Sequence, residues 1–276
     1  MHPYYTQCVN LLTEHWEKDP RALAFAMNGS GGRGGDDEWS DLDVILAVSD
    51  DAYAAICAEM KELMGRVCGD IYLWLPEGET DKSVNYAFII EHDGEQFLFD
   101  HSVLCESLIK ETGNMEAGVV FFDKTGSLTG ANRRFKDYKP DLDASSLSGI
   151  IDRYLVYTYL NGKYYRRKDT AKLLYIQNTL QGLHARMLAA LYPDCFFTGW
   201  WCQDIFLLSP EHQKIILMYA APPDCELIGL LVLRELDYFG RDAREACGFL
   251  KVSYPDVQVK FVLRQLTDAG LPGADA

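Results

Sequence analysis

The chain has 276 residues and a mass of 31.2 kDa, with 48% apolar and 12% aromatic residues. That composition can bury a core and excludes disordered, collagen-like and low-complexity classes. Lys and Arg number 26 against 41 Asp and Glu, a net charge of −15, so the basic footprint of a duplex nucleic-acid binder is missing and small or cationic partners fit better.

The excess of acid is uneven: residues 1–140 hold 12 basic and 25 acidic side chains, residues 141–276 hold 14 and 16. At roughly 150 residues per domain the length predicts two domains. The polar stretch 127–148 places their boundary near residue 140, giving domains 1–140 and 141–276.

In chain order, Val9, Leu11, Leu12 and Trp16 recur at helical spacing, followed by a strand over residues 23–27 and a Gly-rich loop through Gly35. Asp41-Leu42-Asp43 opens a second strand running to Val48. Ser49 then reads as the N-cap of a helix reaching about Arg66, with Asp50 and Asp51 in its first turn. Residues 85–90 and 96–103 form a predicted hairpin around Asp93-Gly94, and 119–122 a further strand, about five in all. From Ile150 onward the apolar periodicity is helical: 151–160, 170–191, 210–220, 226–238, 243–250 and 256–268. The expected fold is α+β, an N-terminal mixed-sheet domain followed by an all-helical bundle.

The eight cysteines show neither C-x-x-C nor a His-x-x-x-His partner and read as buried free thiols. The start of the chain lacks the pattern of a secretory signal, and no stretch approaches ~18 apolar residues, so a cytoplasmic location without membrane contact is expected.

The chemistry concentrates between Gly29 and Asp43. In an extended segment Asp41 and Asp43 project to one face while Leu42 enters the core. Two carboxylates held that close repel unless a cation sits between them, and hard oxygen ligands of this kind suit Mg²⁺. Ahead of them, Gly29 and Ser30 offer backbone N–H groups and a hydroxyl to phosphate oxygens. A third acid, Asp100, shares a strand face with Leu98, opposite Phe97 and Phe99, and would join the pair if its strand lay beside Asp41. His101 faces the other way.

Competing motifs fail on context. Gly29 to Gly34 fits G-x-G-x-x-G, but the following residues lead to another strand rather than to the helix a dinucleotide fold requires. No G-x-x-x-x-G-K-[ST] occurs, and Asp123-Lys124-Thr125-Gly126 reads as a strand-ending turn. In the second half Lys163, Arg166, Arg167, Lys168 and Lys172 form a basic cluster that would neutralise a triphosphate or serve as a solvated helix end. Trp200, Trp201 and Asp204, with Tyr154, Tyr157 and Tyr159, would line an acceptor pocket, although core packing accounts for them as readily.

Gly29-Ser30, Asp41-Leu42-Asp43 and the later strand acid Asp100 resemble the signature of the DNA polymerase beta-like nucleotidyltransferase superfamily. The order of a small catalytic domain and a helical domain is similar to its antibiotic-modifying branch, the aminoglycoside and lincosamide nucleotidyltransferases. The resemblance implies transfer of a nucleoside monophosphate, AMP from ATP, to a hydroxyl of a small molecule with release of pyrophosphate. It implies Mg²⁺ held by Asp41, Asp43 and Asp100, with Asp100 also a candidate base, and ATP or another NTP bound by Gly29 and Ser30. Lys163, Arg166 and Lys172 are added from the basic cluster. The net charge favours an aminoglycoside-type acceptor. The same acids would serve a lincosamide-type or a protein-modifying, toxin–antitoxin enzyme, and a non-catalytic module would bind nucleotide without turnover. The oligomeric state is left open.

Overall fold

In the computed structural model, which describes residues 1–137, 142–192, 195 and 201–272, the chain divides into two units, Met1–Tyr138 and Lys139–Ala276. The first is built on a six-stranded mixed sheet. Its elements are α1 (Pro3–Lys18), β1 (Ala22–Met27), α2 (Gly29–Arg33), β2 (Leu42–Val48), α3 (Tyr53–Cys68), β3 (Ile71–Glu77), β4 (Ser83–His92), β5 (Glu95–Cys105), α4 (Glu106–Thr112), β6 (Val119–Asp123) and α5 (Ser127–Asp137). The strand order is β3-β4-β5-β2-β1-β6, antiparallel throughout except for the parallel pair β2–β5.

The two faces of this sheet are packed unequally. Leu42, Val44, Leu46 and Val48 of β2, with Phe97, Phe99 and Val103 of β5, meet Leu12 and Trp16 of α1 and Ile56, Met60 and Met64 of α3 in a large aromatic and aliphatic core. On the opposite face Ala24, Ala26 and Ala47 meet Ile109 of α4 and Leu128 and Ala131 of α5. The alternation of side chains along a strand sorts them in this way, and Asp43 of β2 and Asp100 of β5 lie on the second, smaller-residue face. The β4–β5 hairpin turns at Asp93 (φ 53°) and Gly94 (φ 82°), the left-handed pair that a two-residue hairpin turn demands.

Several expectations are corrected. Among the described residues there are six strands rather than about five: β3 is apolar on both faces and reads as neither alternation nor a bounded run, yet as an edge strand it tolerates Pro76, whose missing N–H costs no ladder bond there. The Gly-rich loop contains a helical turn, α2; a dinucleotide fold remains excluded because β1 and β2 pair antiparallel. The polar stretch after Ser127 is helical as α5, anchored by Leu128, Ala131 and Asn132. Ser49 stands at the N-cap of a short 3₁₀ turn (Asp50–Ala52) that precedes α3, and its side chain makes no capping bond.

The second unit is helical among the described residues: α6 (Ala144–Arg166), α7 (Thr170–Leu188), a 3₁₀ turn (Trp201–Leu207), α8 (Pro210–Met218), α9 (Cys225–Leu250) and α10 (Asp256–Asp268). Asp143, Asp169 and Asp224 each accept a backbone N–H at the start of α6, α7 and α9, satisfying donors that a helix end leaves orphaned. The expected helices 226–238 and 243–250 are one, α9, because the polar Asp242 that interrupts the pattern is buried against His184 of α7 and His212 of α8. Tyr154 is core, stacked on Phe239 at 3.5 Å. Trp200 and the side chains of Trp201 and Asp204 lie outside the described residues. None of the eight cysteines forms a disulfide; Cys202 is exposed and Cys57 and Cys225 are half-buried rather than buried. No helix among the described residues is long and apolar enough to cross a membrane.

Candidate functional site

The parallel pairing of β2 and β5 sets Asp43 directly opposite Asp100. Asp41 precedes β2 by one residue and returns to the same face two positions from Asp43. One carboxylate oxygen from each of Asp41, Asp43 and Asp100 lies within 4.8 Å of the others, and all three residues are half-buried. They form the one cluster of three or more metal-ligating side chains among the described residues.

Three like charges at this separation are costly, and the electrostatics register it. Burial, and then the charges of Asp41 and Asp100, push the Asp43 carboxyl up to about 6, against an opposing pull from Arg33. Burial and Asp100 likewise raise Asp41. Such a group accepts a hard cation readily, because the ion removes the repulsion the fold has built in.

Gly29 sits against this cluster. Its φ of +58° is the left-handed conformation glycine adopts without strain, and a Cβ there would overlap the Asp43 carboxylate. Asn28 N–H donates to the Asp43 carbonyl at 3.0 Å, tying the start of α2 to β2. A Cβ on Gly118 would overlap the Gly32 backbone, so α2 rests directly on the segment before β6. Beside that contact Arg33 pairs with Glu116 at 2.9 Å.

The chain is similar to solved structures over most of its length. One is an aminoglycoside 6-adenyltransferase from Bacillus subtilis, at 13% identity and a TM-score of 0.46, covering 98% of this chain and 99% of that one. Another is a nucleotidyltransferase-like protein from Exiguobacterium sibiricum, at 10% identity and a TM-score of 0.43, covering 89% and 78%. No protein-family model and no curated protein matches the sequence.

Of the residues singled out in the sequence, Asp41, Asp43, Asp100 and Gly29 are together, with Ser30 next to Gly29 in α2. Lys163, Arg166 and Lys172 belong to the helical unit, where Lys172 pairs with Asp169 at 2.9 Å and Lys163 lies over the Tyr164 ring. Lys168 is engaged by Glu226. His101 is on the opposite face of β5, fully buried near Phe25, and burial holds its imidazole down at about 4. Asp123 accepts the backbone N–H groups of Thr125, Gly126 and Thr129, a strand-ending turn.

Three residues at the site escaped the sequence reading. Arg33 lay within a Gly-rich stretch read for its glycines. Tyr5 of α1 brackets β5 ahead of Asp100, accepting Leu98 N–H at 3.1 Å and donating to Leu98 O at 2.9 Å. Asn85 of β4 touches Asp100 across the sheet. The last two depend on tertiary placement, and no spacing signal marks them. Larger depressions, one of about 640 Å³ by His15 and Arg21 and one of about 430 Å³ between α6 and α10, hold no comparable cluster; the chemistry, rather than the volume, marks the site.

Proposed function

We propose that the protein is a nucleotidyltransferase that moves a nucleoside monophosphate, AMP from ATP, onto a hydroxyl of a small molecule and releases pyrophosphate. The observation that carries this reading is the in-register pairing of Asp43 with Asp100 on parallel strands, with Asp41 beside them and Gly29 against Asp43. The donor set fits Mg²⁺: three half-buried carboxylates supply the hard oxygen ligands that such an ion takes. When bound there, the ion would offset the negative charge that grows on the phosphates.

The chain's own residues divide the remaining work. Asp41, Asp43 and Asp100 would hold the ion. Gly29 and Ser30 approach the triphosphate through backbone N–H groups and a hydroxyl, and Arg33 lends charge to the departing pyrophosphate. Lys163, Arg166 and Lys172 are kept as further candidates for phosphate contact. The acceptor oxygen attacks the α-phosphorus, the bond from that phosphorus to the bridging oxygen breaks, and the hydroxyl proton passes to Asp100. The chain's charge of −15 favours a cationic acceptor, of the aminoglycoside type, over nucleic acid.

The test is pyrophosphate release from ATP and Mg²⁺ across a panel of aminoglycosides, lincosamides and proteins. Turnover with a small hydroxylated acceptor is expected, and Asp41→Asn should lower it by at least about 10²-fold. Labelling of a macromolecule alone would move the acceptor class. Binding of ATP with no release for any acceptor or nucleotide would overturn the reading.

A further inference from the structure

Asp100 does not stand alone on its strand. Across the β4–β5 pairing Ala87 is its register partner and Asn85 is the partner of Ser102, so Asn85, Asp100 and Ser102 share the acid-bearing face, with the small Ala87 leaving room beside the carboxylate. Asn85 Nδ2 donates to Asp100 Oδ1 at 2.7 Å, and Ser102 Oγ donates to Asn85 Oδ1 at 3.0 Å. The direction of this relay follows from its chemistry. An ionised carboxylate only accepts, so the amide must turn its NH₂ toward Asp100, and its carbonyl then takes the serine proton.

We infer that Asn85 is a positioning residue for the carboxylate cluster: it fixes one oxygen of Asp100 and leaves the other free for a cation shared with Asp41 and Asp43, while Ser102 locks the amide. The inference rests on the reading of the three acids as a divalent-ion site. The physical reason is the repulsion described above. A lone Asp100 relieves it by rotating away from Asp41 and Asp43, whereas a charge-assisted hydrogen bond on its outer side holds it in place. Partners of this kind, one bond removed from an ion, typically change affinity by roughly 10- to 100-fold when lost.

The experiment titrates Mn²⁺ into the full chain without nucleotide, followed by electron paramagnetic resonance, for the wild type, Asn85→Leu, Ser102→Ala and Asp41→Asn. Asn85→Leu should weaken Mn²⁺ binding about tenfold, at the lower end of that range, and Ser102→Ala should weaken it less. In turnover the Mg²⁺ concentration for half-maximal rate should rise by a similar factor, with excess Mg²⁺ restoring most of the rate and acceptor KM unchanged; a packing defect would not be rescued by the ion. Asn85→Ala carries the same expectation should leucine disturb the fold. Wild-type affinity in both Asn85 variants, alongside loss in Asp41→Asn, would overturn the role of Asn85 while sparing the ion site. Absence of Mn²⁺ binding in the wild type would overturn both.

Discussion

Asp43 in the sheet unit and Glu235 in the helical unit suffer the same penalty under different circumstances. Burial and two neighbouring acids push Asp43 up to about 6, while burial alone pushes Glu235 up to about 8. Asp43 is half-buried among groups that can share a ligand. Glu235 of α9 is fully buried, and only Gln177, buried in the same unit, opposes the rise. A third acid, Asp242, shows the opposite outcome. Burial acts to raise it, but hydrogen bonds from His184, His212 and Arg241 outweigh this and hold it well below the usual range, while His212 rises to about 9. A displaced carboxylate therefore marks a functional site only when its surroundings leave the strain to be relieved by something from outside. Asp43, beside two further acids, fits the ion site proposed above; Glu235 has no such neighbours and is relieved by a proton, and Asp242 is already satisfied.

Three substitutions would break or sharpen this contrast. Asp242→Ala leaves the buried His184 and the partly exposed His212 without their carboxylate and should cost ~3–5 kcal/mol of helical-unit stability in denaturant unfolding; a loss below about 1 kcal/mol would mean the ring of partners adds little. Asp43→Asn should cut turnover by about 10²-fold or more while raising the thermal midpoint in metal-free buffer, because it removes one of three repelling charges; a lowered midpoint would contradict the repulsion. Glu235→Gln should act through pH. Glu235 has a folded-state value of about 8 against an ordinary 4.5, so between those limits the folded chain holds a proton that the unfolded chain has released. Stability is then lost as pH rises across that window, by at most ~1.4 kcal/mol per pH unit, and levels off above it. Subtracting the Glu235→Gln profile from the wild type cancels the histidines' own titrations, and a flat difference would remove Glu235 from the account.

The sequence disclosed those features that depend on strand and helix period alone. Alternation placed Asp41 with Asp43, and Asp100 opposite Phe97 and Phe99, and the structure has the same facing. Asp93-Gly94 announced the hairpin, and α10 spans the expected residues. Features imposed by tertiary contact stayed hidden. α2 is made largely of glycine, a poor helix former, and is stabilised by its seat on Gly118 and Asp43. β3 has no polar face to reveal its period, and α5 is too polar to advertise its few buried positions. The parallel β2–β5 pairing, which brings the third acid home, is a matter of topology that no local pattern encodes.

The pairing of Asp43 with Asp100 has a consequence for how this strand can drift. Asp100 and His101 are consecutive and point to opposite sides, one to the acids and one to Phe25. Loss or gain of a single residue early in β5 would exchange them, setting an imidazole among the acids and sinking a carboxylate into aromatic packing. Two residues would restore the facing. Length changes early in β5 are thus constrained twice: odd steps invert the facing, and even steps keep it but carry Asp100 roughly 6–7 Å along the strand from its place opposite Asp43.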